Sequence, residues 1–492
     1  MVSETDRTRV YAAIDLGASS GRVIAGVVAD GKLDLVEVAR FPTRSEDDGI
    51  FLKWDVVSTF EETLAGLTKV QEICRERGAE FAGIAVDSWG VDYGFLSDGA
   101  AKLDDVRHHR KAGVSDDAYA AFATEPSERY SATGVLDQSI NTVVQLAARG
   151  ADGSVPEDAV ILFIPDLWVY LLSGSIGTDP TIASTSQILD VRTGDWSKTL
   201  LAELGPAAPA MPPVKPSGTR AGATTSEVTE RIGATEAVPV FRVAGHDTAS
   251  AFGFARPSRY GERATGLVSS GTWSVAGIAV EQPVATDEAR EAGFTFERGL
   301  SGFLMVRNLN GMWLLQESLR TWADEDGQPV DRKALVREAN EVPGNVHAFD
   351  PADHRLLLPG NMPDRIRMLC REAGQPEPET RVEVVRTILE SLAKEYVSAV
   401  RTAGRLAGTE IDGMHIVGGG SRNALLCQLT AQFSGLPVLA GPTECTAIGN
   451  LAAQMWASGI VESIDAAYDL VDPAVWTPTT YYPTESESTA TS

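Results

Sequence analysis

The chain has 492 residues, 43% hydrophobic and 22% charged, with a formal net charge of −26. That length can hold two or more domains with sizeable cores. The acidic surplus leaves no excess of lysine and arginine to displace counterions, which excludes a nucleic-acid partner but not a nucleotide held by backbone amides and a metal.

Four cysteines, Cys74, Cys370, Cys427 and Cys445, are sparse for this length and form no C-x-x-C pair. Reduced thiols in a cytoplasmic protein suit that usage better than a disulfide framework. The first residues lack the apolar core of a signal peptide, and no apolar run is long enough to span a membrane. No sequence feature fixes an oligomeric state.

Residues 9–29 predict a strand, a glycine turn at Gly17 and Gly21, and a second strand. Residues 55–78 predict a helix, with Val57, Phe60, Leu64 and Leu67 at 3–4 spacing. Residues 81–96 predict strand, turn and strand with Asp87 at the bend, and residues 205–220 a long Pro/Ala/Gly-rich loop. P-V-F-R-V at 239–243 is a short buried strand; A-G-H-D-T-A-S-A at 244–251 marks its end and the start of a helix. Residues 264–280 repeat the strand–turn–strand of 9–29 about 255 residues later, a distance that suggests two similar domains and not a solenoid. Residues 414–429 predict a strand, three glycines and a helix, and an apolar helix follows P-T-E-C-T-A-I-G-N at 442–450.

Several of these turns could carry chemistry. No P-loop pattern is present. The 17–22 turn presents consecutive amides, the Ser19 and Ser20 hydroxyls and Arg22, a set that can cradle phosphate or simply close a hairpin. The 270–272 turn has the same two readings. Asp15, at the end of the first strand, could hold Mg²⁺ through water. Gly418, Gly419 and Gly420 offer a flat backbone for an adenine or ribose, or serve helix–strand packing. Asp247 is either a helix N-cap or a general base at the mouth of an α/β sheet.

Together, D-L-G-A-S-S-G-R, D-S-W-G-V-D, A-G-H-D-T-A-S-A, S-S-G-T-W-S, N-L-N-G-M-W-L-L-Q, L-P-G-N-M, V-G-G-G-S-R-N and A-G-P-T-E-C-T-A-I-G-N resemble the FGGY family of carbohydrate kinases over roughly residues 10–460. The resemblance implies an α/β fold of two actin-like, ribonuclease-H-like domains with an active-site cleft between them. A sugar-binding domain would occupy 1–255, an ATP-binding domain 256–480, and a disordered tail 481–492. It implies Asp247 as proton acceptor, with Gly90, His246, Thr248 and Asn308 also contacting sugar. Ala18, Ser19, Ser20, Gly21, Arg22, Thr272, Gln316 and Gly418 to Gly420 would contact ATP, with Mg²⁺ near Asp15. The activity implied is ATP-dependent phosphorylation of a ketose at O1, with L-rhamnulose the leading substrate and L-fuculose or a pentulose the alternatives.

One departure bears on the sugar. Where the family often carries Y-R-D, residues 106–110 read V-R-H-H-R, keeping Arg107 but placing Val106 and His108 for Tyr and Asp. His108 and His109 there are either sugar-side groups or a solvated loop pair. An actin-like ATPase without a sugar would share the phosphate turns but has no reason to keep His246-Asp247-Thr248. A non-catalytic sugar sensor has no need of Asp15 and Asp247.

Overall fold

The computed structural model describes residues 7–115, 117–205, 208–254, 264–344 and 348–484. The chain folds into two compact units. The first comprises Met1–Phe254, Val280–Leu304 and Cys445–Thr477, the second Ala255–Ala279, Met305–Glu444 and Pro478–Ser492. The first division falls one residue from the predicted boundary at 255. Two later segments, placed by sequence in the second domain, return to the first unit. The predicted tail begins at 481, but Thr479–Tyr481 is a strand, and residues 485–492 lie outside the described residues.

In the first unit, strands β1 (Arg9–Leu16), β2 (Ser20–Ala29), β3 (Lys32–Pro42), β4 (Glu80–Ser88), β5 (Thr219–Ala223) and β6 (Pro239–Arg242) form a sheet in the order β5-β6-β4-β1-β2-β3. β1 runs antiparallel to β2 and parallel to β4, which runs parallel to β6. Val10, Ala12, Ile14 and Leu16 put one face of β1 into a core shared with Leu64, Leu67 and Val70 of the Val56–Arg77 helix. Asp55 caps that helix by accepting the Ser58 N–H at 3.0 Å, and Gly78 ends it at φ 59°. Val57, predicted on its apolar face, is instead 53% exposed; the buried residue of the first turn is Val56. Leu64 and Leu67 face the core as read, and Phe60 packs against it, so the departure is confined to the first turn.

The other face of the sheet is covered by the returning Cys445–Ala457 helix. Gln454 Nε2 donates to the Ala12 carbonyl at 3.0 Å, and Leu451 lies where a Cβ on Gly26 would be, 2.7 Å away. Residues 81–96 do not form a hairpin. β4 stays in the main sheet, while Tyr93–Ser97 joins a separate sheet with Ala100–Ala101 and Val160–Phe163.

In the second unit, β7 (Ala264–Ser270), β8 (Trp273–Val280), β9 (Phe303–Asn310), β10 (Ile411–Val417), β11 (Val438–Ala440) and β12 (Thr479–Tyr481) run in the order β9-β8-β7-β10-β11-β12. The directions repeat those of the first sheet: β7 antiparallel to β8, parallel to β10, then β10 parallel to β11 and β11 antiparallel to β12. The repeat seen in sequence is therefore a repeat of topology. The outermost strand differs, preceding its neighbour in the first sheet and following it in the second, and the second sheet has a seventh strand, Thr295–Arg298, next to β9.

Candidate active site

Parallel strands end at one edge of a sheet, and that edge is where α/β proteins place ligands. At this edge of the first unit, Asp15 of β1 and Asp87 of β4 are register partners. Just beyond, the Ser88 N–H donates to the Gly245 carbonyl at 2.8 Å, tying the end of β4 to the segment after β6. The Asp247–Phe254 helix starts there. Its first backbone bond runs from the Ser250 N–H to the His246 carbonyl at 3.0 Å, so His246 holds the cap position. Asp247 sits inside the helix, and its carboxylate accepts the Thr248 hydroxyl at 3.2 Å. The N-cap alternative for Asp247 is thereby ruled out by geometry. Its side chain keeps 34% of its surface exposed.

Charge is concentrated here. His246 Nδ1 faces Glu297 Oε2 at 3.0 Å and its Nε2 faces Asp247 Oδ1 at 3.5 Å, ion pairs out of line for good hydrogen bonds. Burial disfavours the charged imidazole, but the Glu297 and Asp247 carboxylates override it and lift His246 to about 9. His246 is therefore an imidazolium at neutral pH. Burial pushes the Asp247 carboxyl up, His246 opposes that, and the charge of Asp15 adds to it. Asp87 is fully buried; burial and then the charge of Asp15 raise it well above the usual carboxylate range. Asn450 donates to Asp87 Oδ2 at 2.6 Å, while Oδ1 has no hydrogen-bond partner. Asp87 is thus a buried carboxyl with one oxygen unpartnered, beside the acids Asp15 and Asp247. Arg22 offsets part of the charge, with Nε and Nη2 donating to Asp15 Oδ2 at 2.8 and 2.6 Å.

The 17–22 turn closes β1 onto β2, with the Gly17 N–H on the Ser20 carbonyl at 3.1 Å. Ala18 and Ser19 are exposed and Ser20 half-buried. Gly21 is a packing glycine: a Cβ there would lie 2.3 Å from the Phe41 ring.

The segment after β4 is tightly held. Val91 adopts φ 67°, a costly conformation for a β-branched residue. Its N–H donates to Thr185 Oγ1 at 3.1 Å and its carbonyl accepts the Thr142 hydroxyl at 2.8 Å. Gly90 beside it leaves 3.0 Å between an added Cβ and Thr185. Asp92 Oδ2 accepts the indole N–H groups of Trp54 (2.7 Å) and Trp89 (2.9 Å) and lies 2.8 Å from His109 Nδ1. Trp54 stacks on His108 with centroids 4.0 Å apart, and burial pushes that imidazole down to about 4. V-R-H-H-R is thus no solvated loop pair. His108 is a buried neutral ring, and His109 is half-buried beside Asp92.

In the second unit, a cavity of about 730 Å³ is lined by Met312, Arg332, Arg337, Gly419, Arg422 and Gln428, among others. Of the predicted ATP residues of this unit, Gly419 lines it and has nothing within 4 Å of an added Cβ. Gly418 (φ 77°) and Gly420 instead pack on Ser270, whose hydroxyl would be 2.0 Å from a Cβ on Gly420. Gln316 is exposed on the Trp313–Asp326 helix. Thr272 is exposed in the β7–β8 turn, where its carbonyl accepts the Trp313 N–H at 3.0 Å. Asn308, predicted on the sugar, is exposed on β9 of this unit, whereas Gly90, His246 and Thr248 belong to the first.

Residues 10–253 match the N-terminal domain, and residues 266–458 the C-terminal domain, of the FGGY family of carbohydrate kinases. The chain belongs to this family. As an FGGY carbohydrate kinase it is a phosphotransferase, with ATP the phosphoryl donor the family implies. It is 34% identical to a rhamnulokinase of Bacteroides thetaiotaomicron over 469 residues, 94% of each chain. It is 36% identical to a rhamnulokinase of Pectobacterium atrosepticum over 463 residues, 92% of this chain and 89% of that one. The ligand-bound xylulose kinase of Lactobacillus acidophilus superposes with a TM-score of 0.74 at 14% identity, covering 97% of this kinase and 94% of that chain. The two-domain fold implied by sequence is therefore the fold of this kinase.

The sequence missed several groups of the site. Glu297 lies in a short strand far along the chain with no motif of its own, and Asn450 was read only as the end of P-T-E-C-T-A-I-G-N, ahead of an apolar helix. In the folded kinase the Cys445–Ala457 helix belongs to the first unit, and Asn450 serves Asp87. Among the described residues no helix is long and apolar enough to cross a membrane, and all four cysteines are buried.

Proposed function

We propose that this kinase transfers the γ-phosphoryl group of ATP to O1 of L-rhamnulose, giving L-rhamnulose 1-phosphate and ADP, with Asp247 as proton acceptor. The ketose O1 forms the new P–O bond, the bond from the γ-phosphorus to the β–γ bridging oxygen breaks, and the O1 proton passes to Asp247. The observation that carries this reading is the placement of Asp247. It is a partly exposed carboxylate at the first helical position, held between the imidazolium of His246 and the Asp15–Asp87 pair. A loose, anionic phosphoryl transition state asks for positioning and charge neutralisation more than for a strong base.

The other residues take roles from their surroundings. Imidazolium His246 opposes the burial that raises the Asp247 carboxyl and offers its loosely held Nε2 side to a sugar hydroxyl. Gly90 and Thr248 complete the sugar contacts of the first unit. Ala18 to Arg22 face the phosphates, and the cavity lined by Gly419 takes the nucleoside. Mg²⁺, when bound near Asp15 through water, supplies charge neutralisation for the ATP phosphates. The choice of L-rhamnulose follows the two rhamnulokinases, each matched over about nine-tenths of the chain.

Coupled detection of ADP over a panel of L-rhamnulose, L-fuculose, D-xylulose and L-ribulose tests the substrate. The expected outcome is a kcat/KM for L-rhamnulose at least about tenfold above the others. A higher value for another ketose would reassign the sugar, and ATP hydrolysis that no ketose stimulates would remove the kinase reading.

A further inference from the structure

Residues 178–185, T-D-P-T-I-A-S-T, have no motif role in the sequence, yet they lie directly behind the proposed proton acceptor. Asp179 is 3% exposed. Its Oδ1 accepts the Thr181 N–H at 2.8 Å, the Thr181 hydroxyl at 2.6 Å and the Ser217 hydroxyl at 3.1 Å. Its Oδ2 accepts the Gly245 N–H at 3.0 Å. Thr181 Oγ1, its own proton given to Asp179, accepts the His246 N–H at 3.1 Å. The two backbone amides immediately before Asp247 therefore end on one buried carboxylate, one directly and one through a single hydroxyl.

The same carboxylate explains the glycine at 245. A Cβ there would stand 2.4 Å from Asp179 Oδ2, with Pro165 at 3.2 Å and Ile182 at 3.4 Å closing the other sides. Capping the short Pro180–Ser184 helix needs only Oδ1. The bond from Oδ2 to Gly245 and the relay through Thr181 go beyond that local duty.

We propose that Asp179 and Thr181 are positioning residues for phosphoryl transfer, clamping the Gly245 and His246 amides so that Asp247 is presented in one place. The inference rests on the reading of Asp247 as proton acceptor. Proton and phosphoryl transfer tolerate little misplacement, a shift of about 1 Å costing on the order of 10²-fold. A clamp one hydrogen bond from the reacting residue is where such a shift would begin.

Two substitutions separate the hydroxyl from the packing. Thr181→Val keeps the volume and removes both the donor to Asp179 and the acceptor for His246. Thr181→Ser keeps the hydroxyl and drops the methyl. Thr181→Val is expected to lose roughly 10- to 100-fold in kcat, with KM for ATP changed by less than about twofold. Thr181→Ser is expected to stay within about threefold of wild type. Equal kcat in the two variants, whether both high or both low, overturns the proposal.

Should Thr181→Val fail to fold, amide exchange of the wild-type chain decides. Slow exchange at Gly245 and His246, comparable to β6, supports the clamp, and exchange as fast as an open loop overturns it. An Asp247→Asn variant that turns over at the wild-type rate would remove the reading of Asp247 and leave the exchange result standing, so the two failures are distinguishable.

Discussion

At the scale of single residues, the site is a balance of like charges around one imidazolium. His246 rises from its ordinary 6.5 to about 9 because Glu297 and Asp247 outweigh burial. A base whose folded value is raised adds stability that is fully present below its unfolded value and is lost as pH rises through the folded one. The wild-type melting temperature is therefore expected to fall between about pH 6.5 and about pH 9.5 by an amount that Glu297→Gln reduces. Thermal unfolding of both proteins across that range checks this, and identical pH profiles would contradict it. His246 and Asp247 were legible in sequence because they adjoin in one motif. Glu297 was not, since its partnership with His246 exists only once the strand Thr295–Arg298 is in place.

At the scale of elements, glycine turns and strand patterns were read correctly, but the reason for individual glycines was not. Gly21 and Gly420 avoid Phe41 and Ser270, and Gly419 alone of its run opens onto the cavity. Periodicity located the helix at 55–78 and its inward Leu64 and Leu67, yet missed that in the first turn Val56 is buried and Val57 faces solvent. The helix pair beside the site is set by Gly449. A Cβ there would lie 2.0 Å from the Ser250 carbonyl oxygen on the Asp247–Phe254 helix. Backbone cannot yield as a flexible side chain does, so Gly449→Val is expected to cost about 1–3 kcal/mol or more of stability. Urea unfolding measures it. An unchanged midpoint would show that the two helices are not pinned by this contact.

At the scale of the whole molecule, the sequence repeat of strand, small-residue turn and strand became two sheets whose central strands share order and direction. That much was legible because local patterns recur at a fixed distance. The return of Cys445–Thr477 to the first unit was not. Nothing in an apolar helix names the sheet it will cover; Gln454 on Ala12 and Asn450 on Asp87 decide it. The family motifs around Asp15, Asp87 and Asp247, by contrast, converged on one sheet edge.

The central claim, that the Asp247 carboxylate accepts the sugar proton, is tested most directly by Asp247→Asn assayed with ATP and L-rhamnulose under saturating conditions. The account predicts an unchanged melting temperature, retained ATP binding and a kcat lowered on the order of 10²–10⁴-fold. Turnover at the wild-type rate in the folded variant would contradict it.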